Sequence, residues 1–198
     1  MSPAELTALL AFATAMAFTP GPNTTLSAAL GANGGLRAAM PFVLGVPVGW
    51  GLLLAACALG LGALLEAWPA ARRSLQALGL GYMLWLAWRL AGSRSLLRAE
   101  GPARVGFGQG IALQFVNIKA WMNALLISAG WVTVDSNWTL RLLQVLPLMM
   151  AFGLASNLSY ALAGSALRGW LARGQRLLWF NRTLALVLVG TALWMLSL

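Results

Sequence analysis

The sequence predicts an all-α polytopic membrane protein: six transmembrane helices as two inverted three-helix repeats, with the first and fourth helices broken or kinked. Three observations carry this. Hydrophobic residues make up 60% of the 198 and charged residues 9%, with a mean hydropathy of +0.79, whereas soluble domains carry about 25% charge. Several apolar stretches reach the roughly 20 residues that cross a bilayer. Two short polar segments interrupt that pattern about half a chain apart, Thr19-Pro20-Gly21-Pro22-Asn23-Thr24 and Gln114-Phe115-Val116-Asn117-Ile118-Lys119.

Apolar length and punctuation place the spans at 4–30, 38–65, 74–91, 106–133, 142–166 and 178–197. The connections are too short for a soluble domain, so residues 1–198 read as a single transmembrane domain with halves at approximately 1–99 and 100–198. No positive stretch opens the chain, and Glu5 precedes the apolar run, so the first span is expected to be retained.

The first span contains the first break. Pro20 and Pro22 lack N–H groups, so the carbonyls of Met16 and Phe18 lose their i+4 donors, and Gly21 adds freedom to bend. Asn23, Thr24 and Thr25 are good caps for a restarting helix. The segment would thus offer bare carbonyls at one end and unpaired amides with a positive dipole at the other. Those groups complement an ammonium and a carboxylate. The alternative is a proline kink that only shapes packing.

In and around the second span, Gly31/Gly35 and Gly45/Gly49 have the small-xxx-small spacing of closely packed helices, as does Gly106/Gly110 further on. Pro41 and Pro47 are candidate bends in this span, as Pro147 is in the fifth. Arg89 lies near the end of the third span.

The fourth span holds Lys119, the only lysine. A cation at that depth costs about 2.5–3.5 kcal/mol and should face the protein interior with a partner. No acidic residue lies mid-span: Glu66 and Asp135 are at span ends, Glu5 and Glu100 outside. The partner is then a backbone carbonyl, a polar side chain such as Asn117 or Asn123, or the carboxylate of a ligand. The alternative is a side chain snorkelling to the interface, against which Gln109, Gln114, Asn117 and Asn123 on the same span argue. In the fifth span Ser156, Asn157, Ser159 and Tyr160 either line a path or bond between helices. The sixth begins near Asn181 and Arg182.

Nine arginines (Arg37, Arg89, Arg94, Arg98, Arg104, Arg168, Arg173, Arg176, Arg182) fall on one side and three (Arg72, Arg73, Arg141) on the other. The richer side is therefore cytoplasmic and both termini periplasmic. Three spans per half oblige homologous halves to insert in opposite senses, and paired broken helices mark a transport site between such halves.

Several classes fall away. The net charge of +9 sits in short connections rather than on a nucleic-acid surface. One cysteine, Cys57, and no histidine leave neither a disulfide nor a metal site, and no cofactor is expected. Gly106-x-Gly108-x-Gly110 follows no strand and precedes no Walker lysine, so it is no nucleotide loop. Paired acids and a histidine-activated serine are absent too, leaving only a Ser128 or Ser156 dyad with Lys119 as an enzyme reading. Twelve Arg against one Lys has the look of a GC-rich bacterial genome.

Thr19–Thr24 followed by Gly31, Gly35 and Gly45-x-x-x-Gly49 resembles the lysine exporter/homoserine–threonine exporter (LysE/RhtB) superfamily. Gly81-Tyr-Met-Leu-Trp-Leu-Ala-Trp-Arg89 and Phe107-Gly-Gln-Gly110 through Asn117-Ile-Lys119 are similar to its third- and fourth-span patterns. The resemblance implies a six-helix bacterial inner-membrane translocator exporting amino acids or related metabolites on ion gradients. Its signature falls on Pro20, Gly21, Pro22, Asn23, Asn117 and Lys119.

Two departures matter. Ile118 stands where the pattern usually has proline, so the second break is expected to be softer than in relatives. Val48-Gly49-Trp50-Gly51 replaces the acidic residue or histidine of many relatives, which argues against a cationic substrate and leaves Lys119 as the only titrating group at depth.

The expectation is secondary-active, alternating-access export of neutral or apolar amino acids, with no enzymatic activity. Substrate would bind at Thr19, Pro20, Gly21, Pro22, Asn23, Thr24, Gln114, Asn117, Lys119 and Asn123. Expected partners are the amino acid and the lipid bilayer, with a homodimer allowed and no nucleic acid. The alternative is a non-transporting membrane scaffold subunit.

Overall fold

The computed structural model of the protein describes residues 1–92, 105–134 and 136–196. Arg94, Arg98, Glu100, Arg104 and Asp135 of the charge census, and the border between halves near 99–100, lie outside them. The described residues are helical apart from short connections. α1 (Pro3–Phe18) and α2 (Pro22–Gly34) are followed by α3 (Leu36–Ala56), which continues over Cys57–Leu61, kinked at Gly60 (φ 98), into α4 (Gly62–Ala67). Then come α5 (Pro69–Gly92), α6 (Phe107–Val116), α7 (Ile118–Ile127) with a π turn at Ser128–Val132, α8 (Trp138–Leu171) and α9 (Arg176–Leu196).

Three stretches are long and apolar enough to cross a membrane: Leu36–Leu65, Trp138–Leu171 and Arg176–Trp194. Two bent pairs bring the number to five if each is one span, α1 with α2 (52°) and α6 with α7 and its π turn (74°). α5 has span length at 24 residues, but Arg72, Arg73 and Arg89 dilute its apolarity. Two helices overrun their expected spans at both ends: 142–166 becomes Trp138–Leu171 and 74–91 becomes Pro69–Gly92. Hydropathy stops at the first charged or polar run, whereas the i→i−4 ladder continues until a cap or proline ends it. Pro41, Pro47 and Pro147 all lie inside continuous helices.

The helix ends show how the chain returns on itself. Ser2 and Glu5 form a capping box, with Glu5 N–H donating to Ser2 Oγ at 3.2 Å and Ser2 N–H to Glu5 Oε2 at 2.6 Å. Arg141, near the start of α8, bridges to Glu5 Oε2 at 3.2 Å, and Trp131 Nε1 donates to the Glu5 carbonyl at 3.2 Å. The start of α1, the end of the α7 segment and the start of α8 thus share one end. At the other end, Leu36 N–H donates to Ser165 Oγ at 3.2 Å, joining α3 to α8, and Asn33 Nδ2 donates to Asn181 Oδ1 at 3.1 Å, joining α2 to α9.

α2 packs on α8, α3 on both α6 and α8, and α5 on α9. Two of these seams are glycine contacts. A Cβ at Gly31 would strike the Ala161 carbonyl, and one at Gly164 the Ala28 carbonyl, so α2 and α8 touch backbone to backbone. Gly45 lies on the Phe107 carbonyl, Gly49 on Ile111 and Gly110 on the Phe42 carbonyl, which does the same for α3 and α6. The packing expectation therefore holds for Gly31, Gly45, Gly49 and Gly110. Gly35 and Gly106 instead terminate helices: Gly35 has φ 80 between α2 and α3, and Gly106 is the N-cap of α6.

Gly164→Ala is expected to lower the thermal stability of the purified protein by about 1–3 kcal/mol through overpacking. Gly81→Ala, with nothing within 4 Å of the added Cβ, should stay within about 0.5 kcal/mol. Equal melting curves for the two variants in detergent would contradict the close seam.

Candidate functional site

Thr19 and Pro20 leave helical geometry, and α2 restarts at Pro22 with Gly21 as N-cap. Three carbonyls near this break accept from side chains. Thr19 Oγ1 donates to the Ala15 carbonyl, Ser156 Oγ to Ala17 at 2.5 Å and Tyr160 Oη to Phe18 at 2.9 Å. The expected free carbonyl at Phe18 is thus corrected: α8 reaches across and satisfies it, as membrane depth demands. Capping also differs from expectation. Asn23, Thr24 and Thr25 are already helical, and the reaching back is done by Thr24, whose Oγ1 accepts from Gly21 N–H at 3.0 Å and donates to the Gly21 carbonyl at 3.1 Å.

The second break forms without proline. Asn117, 2% exposed, ends α6 and starts α7, its Oδ1 accepting from Lys119 N–H at 3.2 Å. Trp121 Nε1 caps the stranded Phe115 carbonyl at 2.9 Å. At 74° this bend exceeds the 52° of the first.

The breaks meet. Lys119 Nζ donates to the Thr19 carbonyl at 2.7 Å, so its partner is a backbone carbonyl of the other broken helix. The lysine side chain lies over Gly21, where a Cβ would come within 3.2 Å of Lys119 Cδ. Asn23 and Gln114 exchange amide bonds, Nδ2 to Oε1 at 2.9 Å and Nε2 to Oδ1 at 3.0 Å. Gln114, fully buried, also donates to the Gly110 carbonyl at 2.9 Å. Ser156 and Lys119 each bond to a carbonyl of the first break rather than to one another.

Around this crossing lies a cavity of about 80 Å³. Eight of the ten expected residues line it: Thr19, Gly21, Pro22, Asn23, Thr24, Asn117, Lys119 and Asn123. Pro20 shapes the break without reaching the cavity, and Gln114 stands behind Asn23. Met16 of α1, expected only for its freed carbonyl, also lines it, and the remaining wall was outside the sequence expectation: Ala17 of α1, Val46, Pro47 and Trp50 of α3, Ala120 of α7, and Met149 and Gly153 of α8. Asn157, singled out only as one of a polar cluster, also lines it, and it accepts from Ser27 Oγ at 2.9 Å. No acidic residue is among the described residues of the lining. Asn123 Oδ1 is a buried acceptor without a hydrogen-bond partner, and leaving such a group unpaired costs about 1–3 kcal/mol.

Gln114→Met should destabilise the protein by about 1–3 kcal/mol, because Asn23 loses its partner. Adding Asn23→Leu should cost less than the sum of the single changes. Additive melting shifts would mean that the pair is not coupled.

The LysE type translocator family matches residues 14–197. Among curated proteins, the chain is 32% identical to a cysteine/O-acetylserine efflux protein of Klebsiella pneumoniae, over 90% of this chain and 92% of that one. It is also 32% identical to the protein of that description from Salmonella choleraesuis and 30% to that from Escherichia coli K12, each over 97% of both chains. No solved structure matches the chain significantly.

Proposed function

The chain belongs to the LysE type translocator family, transport proteins and not enzymes, and from that premise we propose that it exports small neutral amino acids across the bacterial inner membrane, binding them as zwitterions between the two helix breaks. The observation that carries this reading is the bond from Lys119 Nζ to the Thr19 carbonyl inside the cavity. It is an ammonium on a carbonyl, so each group has a substrate counterpart that can replace the other. A substrate carboxylate takes Lys119 and the first-turn amides of α2. Its ammonium takes the Thr19 carbonyl that Lys119 vacates, with Asn123 Oδ1 as a second acceptor.

Size and charge support the same class. A cavity of about 80 Å³ holds about five to eight waters, close to the heavy-atom count of a three-carbon amino acid. A lining without a carboxylate has nothing for a cationic side chain. Cysteine and O-acetylserine, named for the relatives, are both neutral zwitterions, and the apolar wall of Val46, Trp50 and Met149 would meet the side chain.

Alternating access between two inverted repeats belongs to the proposal, with α5 as a sixth span and both termini periplasmic. The packing supports it. If halves are exchanged, the first span's contact with the fifth becomes the fourth span's contact with the second. Those are the α2–α8 and α3–α6 glycine seams, while α3–α8 and α5–α9 map onto themselves. Rocking of one half on the other is the motion such a design allows.

In proteoliposomes the protein should catalyse counterflow of cysteine, O-acetylserine or serine and not of lysine. Lys119→Met and Asn23→Ala should each abolish this flux while membrane abundance is kept. Flux at the normal rate in both variants would sink the placement, and failure of every neutral amino acid would favour the scaffold reading.

A further inference from the structure

A second cavity, of about 170 Å³, lies on the opposite face of α7. Its depth is apolar, with Leu65 of α4, Leu75 of α5, and Val116, Ile118, Trp121 and Leu125 of the second broken helix among its walls. Its polar groups are Arg72 and Gln76, one turn apart on α5. Arg72 is exposed and stands in the first turn of α5, at the level where a span meets the headgroups. Gly79, two turns deeper, lies against the Val116 carbonyl at the second break. With α5 as the sixth span proposed above, the cavity runs about 10 Å along its axis from Arg72 to the level of Gly79, at 1.5 Å per residue, parallel to the direction of a lipid chain.

From this geometry we infer that the cavity is a specific site for one anionic phospholipid. The phosphodiester sits on the Arg72 guanidinium and the Gln76 amide, and one acyl chain lies along Leu75 and Trp121 to the back of the break. The occupant is fixed by charge and depth together. A cation with a neighbouring amide donor at the rim selects a phosphate, and a dry, chain-directed interior opening toward the bilayer selects its hydrocarbon. Arg72 enters no ion pair among the described residues, so the guanidinium carries its charge to the rim. α7 is then a partition. Asn117, Lys119, Ala120 and Asn123 face the central cavity, while Ile118, Trp121 and Leu125 face the lipid. A chain packed there supports the bent state of the second break. The inference does not depend on what the protein transports.

The test is native mass spectrometry of the full-length protein purified in detergent, with equal amounts of phosphatidylglycerol and phosphatidylcholine bearing the same chains. The wild type should retain one phosphatidylglycerol with about fivefold preference, the factor that one interfacial cation contributes. Arg72→Gln should abolish the preference, and Leu75→Trp, which fills the groove, should abolish retention of either lipid. Arg73→Gln, adjacent but outside the cavity lining, should leave both intact. Equal retention of the two lipids by the wild type would overturn the proposal. So would loss of preference in Arg73→Gln, which would reveal general surface attraction. A dimer dissociated by Leu75→Trp would also overturn it, because a second copy would then cover the groove.

Discussion

Hydrocarbon supplies no hydrogen bonds, so every backbone group freed by a broken helix must find a partner within the protein. In this molecule that requirement falls on a few atoms. The carbonyls of Ala15, Ala17, Phe18 and Thr19 are taken by Thr19 Oγ1, Ser156, Tyr160 and Lys119 in turn. Two of these donors come from α8 and one from the other broken helix, so the first break dictates which helices stand beside it. The glycine seams follow: α2 must lie against α8 closely enough for short side chains to reach its neighbour's carbonyls, and Gly31 and Gly164 permit that approach.

The amide pair of Asn23 and Gln114 has the same role at the next layer out. It fixes the relative register of the two broken helices without contributing a charge, which leaves Lys119 the sole formal charge of the cavity. A single cation on a neutral carbonyl is held less firmly than one on a carboxylate. In the binding mode proposed above, it would be surrendered to a ligand at smaller cost than a buried ion pair.

Much of this was legible in the sequence, for identifiable reasons. Prolines and a mid-span asparagine announce helix ends locally, so both breaks fell where expected and eight of the ten expected residues line the cavity. What escaped was tertiary. Trp50, Met149 and Gly153 carry no local signal that separates them from other core residues, because their place in the wall depends on the rotation of α3 and α8 about their axes. Gln114 read as lining because it shares a span with Lys119, yet a turn of helix sets it behind Asn23. Tyr160 and Ser156 were visible as a polar cluster, but their task as caps for a helix more than a hundred residues away exists only in the fold. Arg94, Arg98 and Arg104, which weigh in the orientation, lie outside the described residues.

The absence of proline from the second break has a consequence for its energetics. At the first break Pro20 and Pro22 lack N–H groups, so no rearrangement can restore the missing bonds. At the second, Asn117, Ile118 and Lys119 all retain theirs, and Asn117 holds the chain bent with a side-chain acceptor 3.2 Å from Lys119 N–H. Joining α6 to α7 would be a propagation step between two turns already formed, free of the nucleation cost that a new helix meets. The first break is thus fixed by covalent structure, whereas the second is held by side-chain hydrogen bonds alone, the Asn117 acceptor on Lys119 N–H and the Trp121 donor on the Phe115 carbonyl.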